Sequence, residues 1–321
     1  MKNYLEFEKP IADLHSKISD FSNSDNVNCR KMVQECKLEL NRTRKEIFKN
    51  LTTWEKVQLA RHPDRPYAKD YITSITDDFL QLHGDRLYAD DEAIIGGIAK
   101  INGKSIMIIG HQKGRNVQEN MRCNFGMPHP EGYRKALRLM RMAEKFNLPL
   151  ITLIDTPGAY PGIGAEERGQ AEAIAQNLKV MANLKVPIIC IVIGEGGSGG
   201  ALAIGVGDTL AMLEYTIYSV ISPEGCASIL WRDASMAPKA AEALKLLAED
   251  LKKLHIIDKV LKEPLGGAHN NPKKIAQTIK KFIISELEKL EKDDLTFLLT
   301  KRYNKLREVG EFMENKSLGT F

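Results

Sequence analysis

Residues 188–202 read Ile188-Ile-Cys-Ile-Val-Ile-Gly194-Glu195-Gly196-Gly197-Ser198-Gly199-Gly200-Ala201-Leu202: six apolar residues of strand length, five glycines in seven positions, then helix-compatible residues. This order specifies a buried strand, a glycine turn and the start of a helix. Glycines let backbone approach a ligand with no Cβ in the way and visit positive φ cheaply. If a helix begins near Gly199, its first N–H groups lack intrahelical partners and point outward beside the positive end of the dipole. Such a turn cradles an anion or a developing oxyanion. The alternative, a tight turn that meets no ligand, would incur the conformational entropy of five glycines without need.

Gly194, Gly196 and Gly199 match GxGxxG, and Glu214 lies downstream, as in a dinucleotide site. Geometry rejects that reading. Only Ala201 to Asp208 separate the last glycine from the next apolar run, with Gly205 and Gly207 interrupting them. A parallel crossover needs about 10–12 residues or more.

Around this stretch, apolar runs alternate with glycine-rich turns and amphipathic helices from about residue 71, the signature of an α/β domain. The spacing predicts strands over Ala93–Ala99, Ser105–Gly110, Leu148–Asp155, Val186–Gly194, Thr209–Leu213 and Ile217–Ile221. It predicts helices over Glu131–Phe146, Ala165–Leu184, Pro223–Trp231 and Lys239–Leu254. Strands come in adjacent pairs before a helix, which a simple doubly wound sheet does not accommodate.

Three domains are expected: a helical arm over 1–70, the α/β domain over 71–270, and C-terminal helices with a tail over 271–321. The arm carries Val33, Leu40, Ile47, Leu51 and Trp54 on one apolar stripe, with Ser22 to Asn28 separating two helices. The stripe fits packing on its own domain and packing on another chain equally; an arm that helps assembly is the expectation. Beyond Pro272 helices are expected over Lys273 to Lys292 and Asp294 to Arg307, with Glu311–Phe321 a frayed tail.

Two further segments concentrate chemistry. Asp155-Thr-Pro-Gly158-Ala159-Tyr160-Pro-Gly162 ends a strand in a stiff turn, where α/β folds place ligand contacts. Asp155 is either catalytic or a cap of its own turn, and Ala159 and Tyr160 offer an apolar wall to a ring. Gly110-His-Gln-Lys113-Gly-Arg115 gathers donors in a loop, for coenzyme phosphates or as a solvated basic turn. Arg134, Lys135, Arg138 and Arg141 have the spacing of a solvated helix face. His62, His83, His129 and His269 stand alone, without ligand spacing, and read as structural hydrogen-bonders. No GxSxG, HExxH or P-loop is present, so the chain stabilises charge rather than supplying a nucleophile.

The 321 residues are 43% hydrophobic and 27% charged with a net charge of +4, a mixture that implies neither nucleic-acid binding nor disorder. Cys29, Cys36, Cys123, Cys190 and Cys226 form no CxxC, so neither a disulfide framework nor a zinc site is expected. The N-terminal residues lack an apolar signal region and no run is long enough to span a membrane. A cytoplasmic location is expected.

At these residues the sequence resembles the alpha subunits of bacterial acetyl-CoA carboxylase carboxyltransferase. The matching stretches are Trp54–Tyr67, Leu82–Arg86, Gly110–Arg115, Asn124–Lys135, Asp155–Gln170, Gly194–Asp208, Tyr218–Trp231 and Glu263–His269. The resemblance implies a crotonase-like spiral of repeated ββα units, which accounts for the paired strands. It implies that Gly199 and Gly200 supply the backbone N–H groups of an oxyanion hole for the ureido oxygen of biotin. Gly158, Ala159, Tyr160, Gly196, Gly197, Lys113 and Arg115 are expected around the substrates.

The resemblance further implies biotin on a separate biotin carboxyl carrier protein, a biotin carboxylase, acetyl-CoA, and no metal on this chain. A zinc-finger beta subunit is implied in an alpha2-beta2 assembly, giving malonyl-CoA for fatty-acid biosynthesis. Other readings are a carboxyltransferase or decarboxylase for another acyl-CoA and a CoA-ester hydratase or isomerase using Glu195. A non-catalytic scaffold subunit and a chain with a regulatory nucleic-acid role also stand.

Overall fold

The structure, a computed structural model, describes residues 3–22 and 27–310. Its strands are β1 (Asp77–Gln81), β2 (Ile94–Ile101), β3 (Lys104–His111), β4 (Leu150–Thr156), β5 (Ile188–Gly197), β6 (Thr209–Leu213), β7 (Ile217–Ser219) and β8 (Lys259–Leu261). They form one sheet in the order β1-β2-β3-β4-β5-β6-β8, with β7 paired to the end of β5. β1, β2 and β3 are antiparallel neighbours; from β3 onward the pairing is parallel.

The helices, in chain order, are α1 (Lys9–Ser22), α2 (Val27–Lys49), α3 (Thr53–Ala60), α4 (Ala68–Ile75), α5 (Val117–Arg122), α6 (Pro130–Lys145), α7 (Ile163–Glu167), α8 (Gln170–Asn183), α9 (Ser198–Leu202), α10 (Pro223–Trp231), α11 (Ala237–Leu244), α12 (Ala248–Lys253), α13 (Pro272–Leu290) and α14 (Leu295–Arg307).

Alternation along the strands builds two apolar layers. Ile106, Ile108, Ile151, Leu153, Ile189 and Ile191 face α4 and α13. Met107, Ile109, Leu150, Ile154, Ile188, Cys190 and Val192 face α6 and α8. Both faces of the parallel strands are thereby covered, which explains why these strands read as continuous apolar runs. β2–β3 precede α6 and β6–β7 precede α10, the expected paired strands. In β4 and β5 the pairing register shifts between Ile154 and Thr156. Beyond that point Glu195–Gly197 pair with β7, so the end of one long strand acts as the second strand of its unit.

Local chemistry sets several boundaries. Ser222 caps α10 by accepting from Gly225 N–H and Pro223 stands in its first turn. Asn271 caps α13 in the same way from Lys274 N–H. The single helix expected over Ala165–Leu184 is instead α7 and α8, broken where Gly169 adopts φ +79°. The helix expected over Lys239–Leu254 is broken by Lys245 at φ +52°. The strand expected to end at Gly194 runs on to Gly197, and the one expected to reach Ile221 stops at Ser219.

The arm folds back on itself. Ile11 and Leu14 of α1 and Leu40 and Phe48 of α2 pack with Leu59 and with Tyr215 of the sheet domain, Ile47 and Leu51 beside them. Trp54 packs in a neighbouring cluster with Val57, Ile217 and Leu247. Met32 and Leu38, nearer the start of α2, are exposed. The stretch expected to separate the two helices lies partly outside the described residues, and the tail 311–321 lies wholly outside them. Among the described residues no helix is long and apolar enough to cross a membrane.

A buried clamp joins the arm to the domain. Glu8, 2% exposed, places its carboxylate 3.7 Å from His62 Nε2 and 3.8 Å from His269 Nε2. The two imidazoles are stacked at 3.8 Å with an interplanar angle of 8°, so residues far apart in sequence meet here. The trio has the composition of a metal site but not its geometry. An ion bound between parallel rings would lie out of both ring planes, where no lone pair points. His62 Nδ1 also accepts from Asp64 N–H at 3.1 Å, which leaves the ring proton of a neutral His62 on Nε2, toward Glu8.

Burial pushes the Glu8 carboxyl up, but contacts from His269 and His62 and the Leu5 N–H outweigh it and hold it at about 2. A depressed folded value contributes stability that is full above the unfolded value of 4.5 and is lost as pH falls toward 2. Glu8→Gln is therefore expected to destabilise the protein by about 3 kcal/mol at neutral pH. The difference from wild type should shrink between pH 4.5 and 2. Denaturant unfolding across pH checks this; a pH-independent difference would remove the clamp as its source.

Candidate active site

The loops after β3, β4 and β5 leave the carboxyl ends of neighbouring parallel strands, so Gly110–Arg115, Asp155–Gly162 and Gly194–Gly200 meet on one side of the sheet. At their base sits a buried charge network. Asp155 Oδ1 accepts from Lys113 Nζ at 2.7 Å and from Glu195 N–H at 2.9 Å. Glu195 lies 3.2 Å from Lys113 Nζ and 2.6 Å from Arg61 Nε, and Arg61 reaches on to Glu224 at 2.5 Å. Asp155 thus caps a neighbouring strand rather than its own turn.

Burial would raise the Glu195 carboxyl and lower the Lys113 ammonium. The opposite charges outweigh it: Lys113 and Arg61 hold Glu195 low, and Asp155 and Glu195 hold Lys113 high. Glu195 remains a paired carboxylate, poorly suited to act as the base of a hydratase.

The sequence left this loop open to coenzyme phosphates or to a solvated basic turn, and the structure shows Lys113 and Arg115 engaged within the chain. Lys113 is consumed by its two acids. Arg115 donates to the carbonyls of Pro63 and Arg65 at 3.1 and 3.0 Å, pairs with Asp70, and lies 4.1 Å over the Tyr67 ring. It pins the connection between α3 and α4. The cations of α6 also depart from the solvated face expected: Lys135 is buried against Asp90 and the Asp91 carbonyl, while Arg134 and Arg138 grip Asp85, His83 and Gly84. Arg141 alone of the four is exposed.

The glycines have separate causes. A Cβ on Gly194 would fall 2.3 Å from Asp155 Oδ1, on Gly196 2.3 Å from Tyr218, and on Gly197 2.1 Å from the Pro157 carbonyl. On Gly200 it would fall 2.6 Å from the Ala159 nitrogen and 2.9 Å from Tyr133 Oη. Two backbones, 157–159 and 197–200, are in direct contact, and side chains there would separate them. Only Gly199 of the five has room, its nearest neighbour being Ile174 at 3.8 Å. Gly199 opens on an apolar cleft of about 310 Å³ walled by Leu202, Tyr218, Val220, Leu244, Leu251 and Ile256.

Across the turn, Gly158 has φ +153° and open space at its Cβ position. Ala159 is half-buried. Tyr160 stacks on His129 at 4.1 Å and packs across Gly162, so its ring is already engaged. The Thr156 hydroxyl accepts from Gly158 N–H at 3.1 Å and lies 2.6 Å from the Gly126 carbonyl, stiffening this loop. Arg61, Glu224, His111, Tyr133 and the cleft walls from α11 and α12 were not legible as site residues.

A family described as acetyl co-enzyme A carboxylase carboxyltransferase-like matches residues 4–310. The chain belongs to this family.

Within it, the chain is 58% identical over 313 residues to the acetyl-coenzyme A carboxylase carboxyl transferase subunit alpha of Xanthomonas oryzae pv. oryzae, covering 97% of this chain and 98% of that one. The subunit of the same name from Stenotrophomonas maltophilia is 58% identical with the same coverage. The fold is that of crotonase-like carboxyltransferases. The transcarboxylase 12S core superposes with a TM-score of 0.58 at 21% identity, over 80% of this chain and 45% of that one. The geranyl-CoA carboxylase beta subunit of P. aeruginosa gives 0.54 at 16% identity, over 83% and 47%.

Proposed function

We propose that this chain is the alpha subunit of an acetyl-CoA carboxylase carboxyltransferase, moving a carboxyl group from carboxybiotin to acetyl-CoA and giving malonyl-CoA. The supporting observation is the Gly199–Gly200 turn, which starts a helix and opens on the apolar cleft, with Asp155, Glu195 and Lys113 at its base paired with one another. A fused bicyclic ring carrying a urea carbonyl suits such a place: apolar walls for the ring and backbone N–H groups for the oxygen.

Biotin, when delivered on its carrier protein, supplies the carboxyl group and, once relieved of it, a basic ring nitrogen. The chain's own part is electrostatic. The N–H groups at Gly199 and Gly200 meet the negative charge that develops on the bound oxygen. Asp155, Glu195 and Lys113, mutually satisfied, fix the strand end from which the turn leaves. Leu202, Tyr218, Val220 and Leu244 exclude water from one side of the turn.

A separate beta subunit completes the site in this reading, consistent with relatives that are named subunit alpha. It carries the zinc finger for which this chain has no cysteine pattern, in an alpha2-beta2 assembly serving fatty-acid biosynthesis in the cytoplasm with a biotin carboxylase. The test is malonyl-CoA formation from acetyl-CoA and carboxybiotinylated carrier. Activity is expected only when the chain is mixed with a beta subunit. Activity of the chain alone, or an inactive mixture, would overturn the reading.

A further inference from the structure

Behind the Gly199–Gly200 turn lie two polar side chains that the proposed chemistry does not use. His111, the last residue of β3, is completely buried on the face shared with Met107 and Ile109. The Gly200 carbonyl faces its ring, yet neither Nδ1 nor Nε2 makes a hydrogen bond of normal geometry. Tyr133 of α6 is equally buried, its Oη also without a partner. That oxygen stands 2.9 Å from where a side chain on Gly200 would begin. Two unpartnered polar side chains thus face one glycine, Tyr133 from a small apolar cluster with Ala159, Ala173, Ile174 and Ala203.

Packing alone does not explain this choice, because leucine or phenylalanine would fill the space without the desolvation cost of unpaired polar groups. Unsatisfied groups of this kind persist where a structure is poised for another state. We propose that His111 and Tyr133 are positioning residues that hold the Gly200 peptide in place as negative charge builds on the oxygen bound in front of it. This rests on Gly199–Gly200 being an oxyanion hole. A glycine has no side chain to anchor its peptide plane, so an imidazole N–H behind its carbonyl and a phenol against its Cα position limit the rotation that would misalign its N–H.

His111 is neutral where it faces the Gly200 carbonyl. Burial first, and then the Lys113 ammonium, push its imidazole down to about 3, so it does not exchange a proton near neutral pH.

The test uses the assembled alpha–beta complex with carboxybiotinylated carrier. His111→Leu and Tyr133→Phe are expected to lower kcat roughly 10- to 100-fold, as loss of an outer-shell partner does elsewhere. KM for acetyl-CoA should stay unchanged and Tm be equal or higher, since an unpaired polar group has been removed. His111→Gln, which keeps a donor, should recover part of kcat. A merely structural role predicts the opposite pattern, with Tm falling alongside kcat and no rescue. Tyr133→Phe removes one oxygen and keeps the ring, so it tests the idea even if His111→Leu folds poorly. Unchanged kcat in either variant removes that residue from the proposal; a fully active Gly200→Ala complex would overturn the oxyanion hole and this proposal together.

Discussion

Exchanging Gly200 for alanine is expected to lower the rate of carboxyl transfer by a factor of about 10²–10³, the loss typical of one misplaced oxyanion donor. The cause is steric. The new methyl group would fall 2.6 Å from the Ala159 nitrogen and the Gly158 carbonyl carbon, both backbone atoms that cannot rotate away. The 157–159 and 197–200 segments must then part, and the N–H groups at the start of α9 move with them. Gly199→Ala is the matched control, because its methyl would meet only Ile174 at 3.8 Å and the turn can keep its shape. Kinetics of the assembled complex, with assembly followed by light scattering, measure both. Comparable activity in the two variants would show that the turn does not carry the chemistry.

Arg302→Met is expected to destabilise the protein by about 3–5 kcal/mol, a fall in Tm of roughly 4–7 °C for a chain of this size. Arg302 of α14 is buried and donates five hydrogen bonds, so every guanidinium N–H is satisfied. Two reach the Asp208 carboxylate at 2.7 and 2.8 Å, and three reach the carbonyls of Met181, Leu184 and Val186. Truncation leaves these buried acceptors short of donors. Asp208 would keep only its bond from Ile188 N–H at 2.7 Å. The second substitution Asp208→Asn, made in the Arg302→Met background, should cost much less than it does alone. Urea denaturation of the four proteins gives the coupling directly; additive losses would mean that the pair does not hold α14.

The centre of the fold was legible because its strands are runs of branched apolar residues of strand length. β4, β5 and β6 are found where the runs lie, and α10 begins and ends where Ser222, Pro223 and Trp231 place it. β1 and β8 gave no such signal. β1 opens on Asp77 and Asp78 and is mostly exposed, and β8 is three residues defined by its pairing with β6. The helix breaks at Gly169 and Lys245 escaped for a different reason, since apolar spacing continues through both and only backbone conformation reveals them.

The glycine run was visible, but four of its five members owe their identity to close packing within the chain, a fact that spacing does not encode. The pairing of Lys113 was not legible because its acids lie 42 and 82 residues away. Likewise, no local pattern ties Arg61 to Glu195, 134 residues on.

Arg61, His62 and Arg65 occupy one turn and grip three different parts of the molecule. Arg61 holds Glu195 and Glu224, His62 faces Glu8, and Arg65 holds Glu263 and the carbonyl of Ile193. A chain trimmed to begin after residue 65 would keep every strand of the sheet, yet it would leave Glu224 and Glu263 without their arginines and Glu195 with Lys113 alone. The arm and the sheet domain are thus held by the same charges, so removing the arm disturbs the ion pairs of the sheet as well as its own.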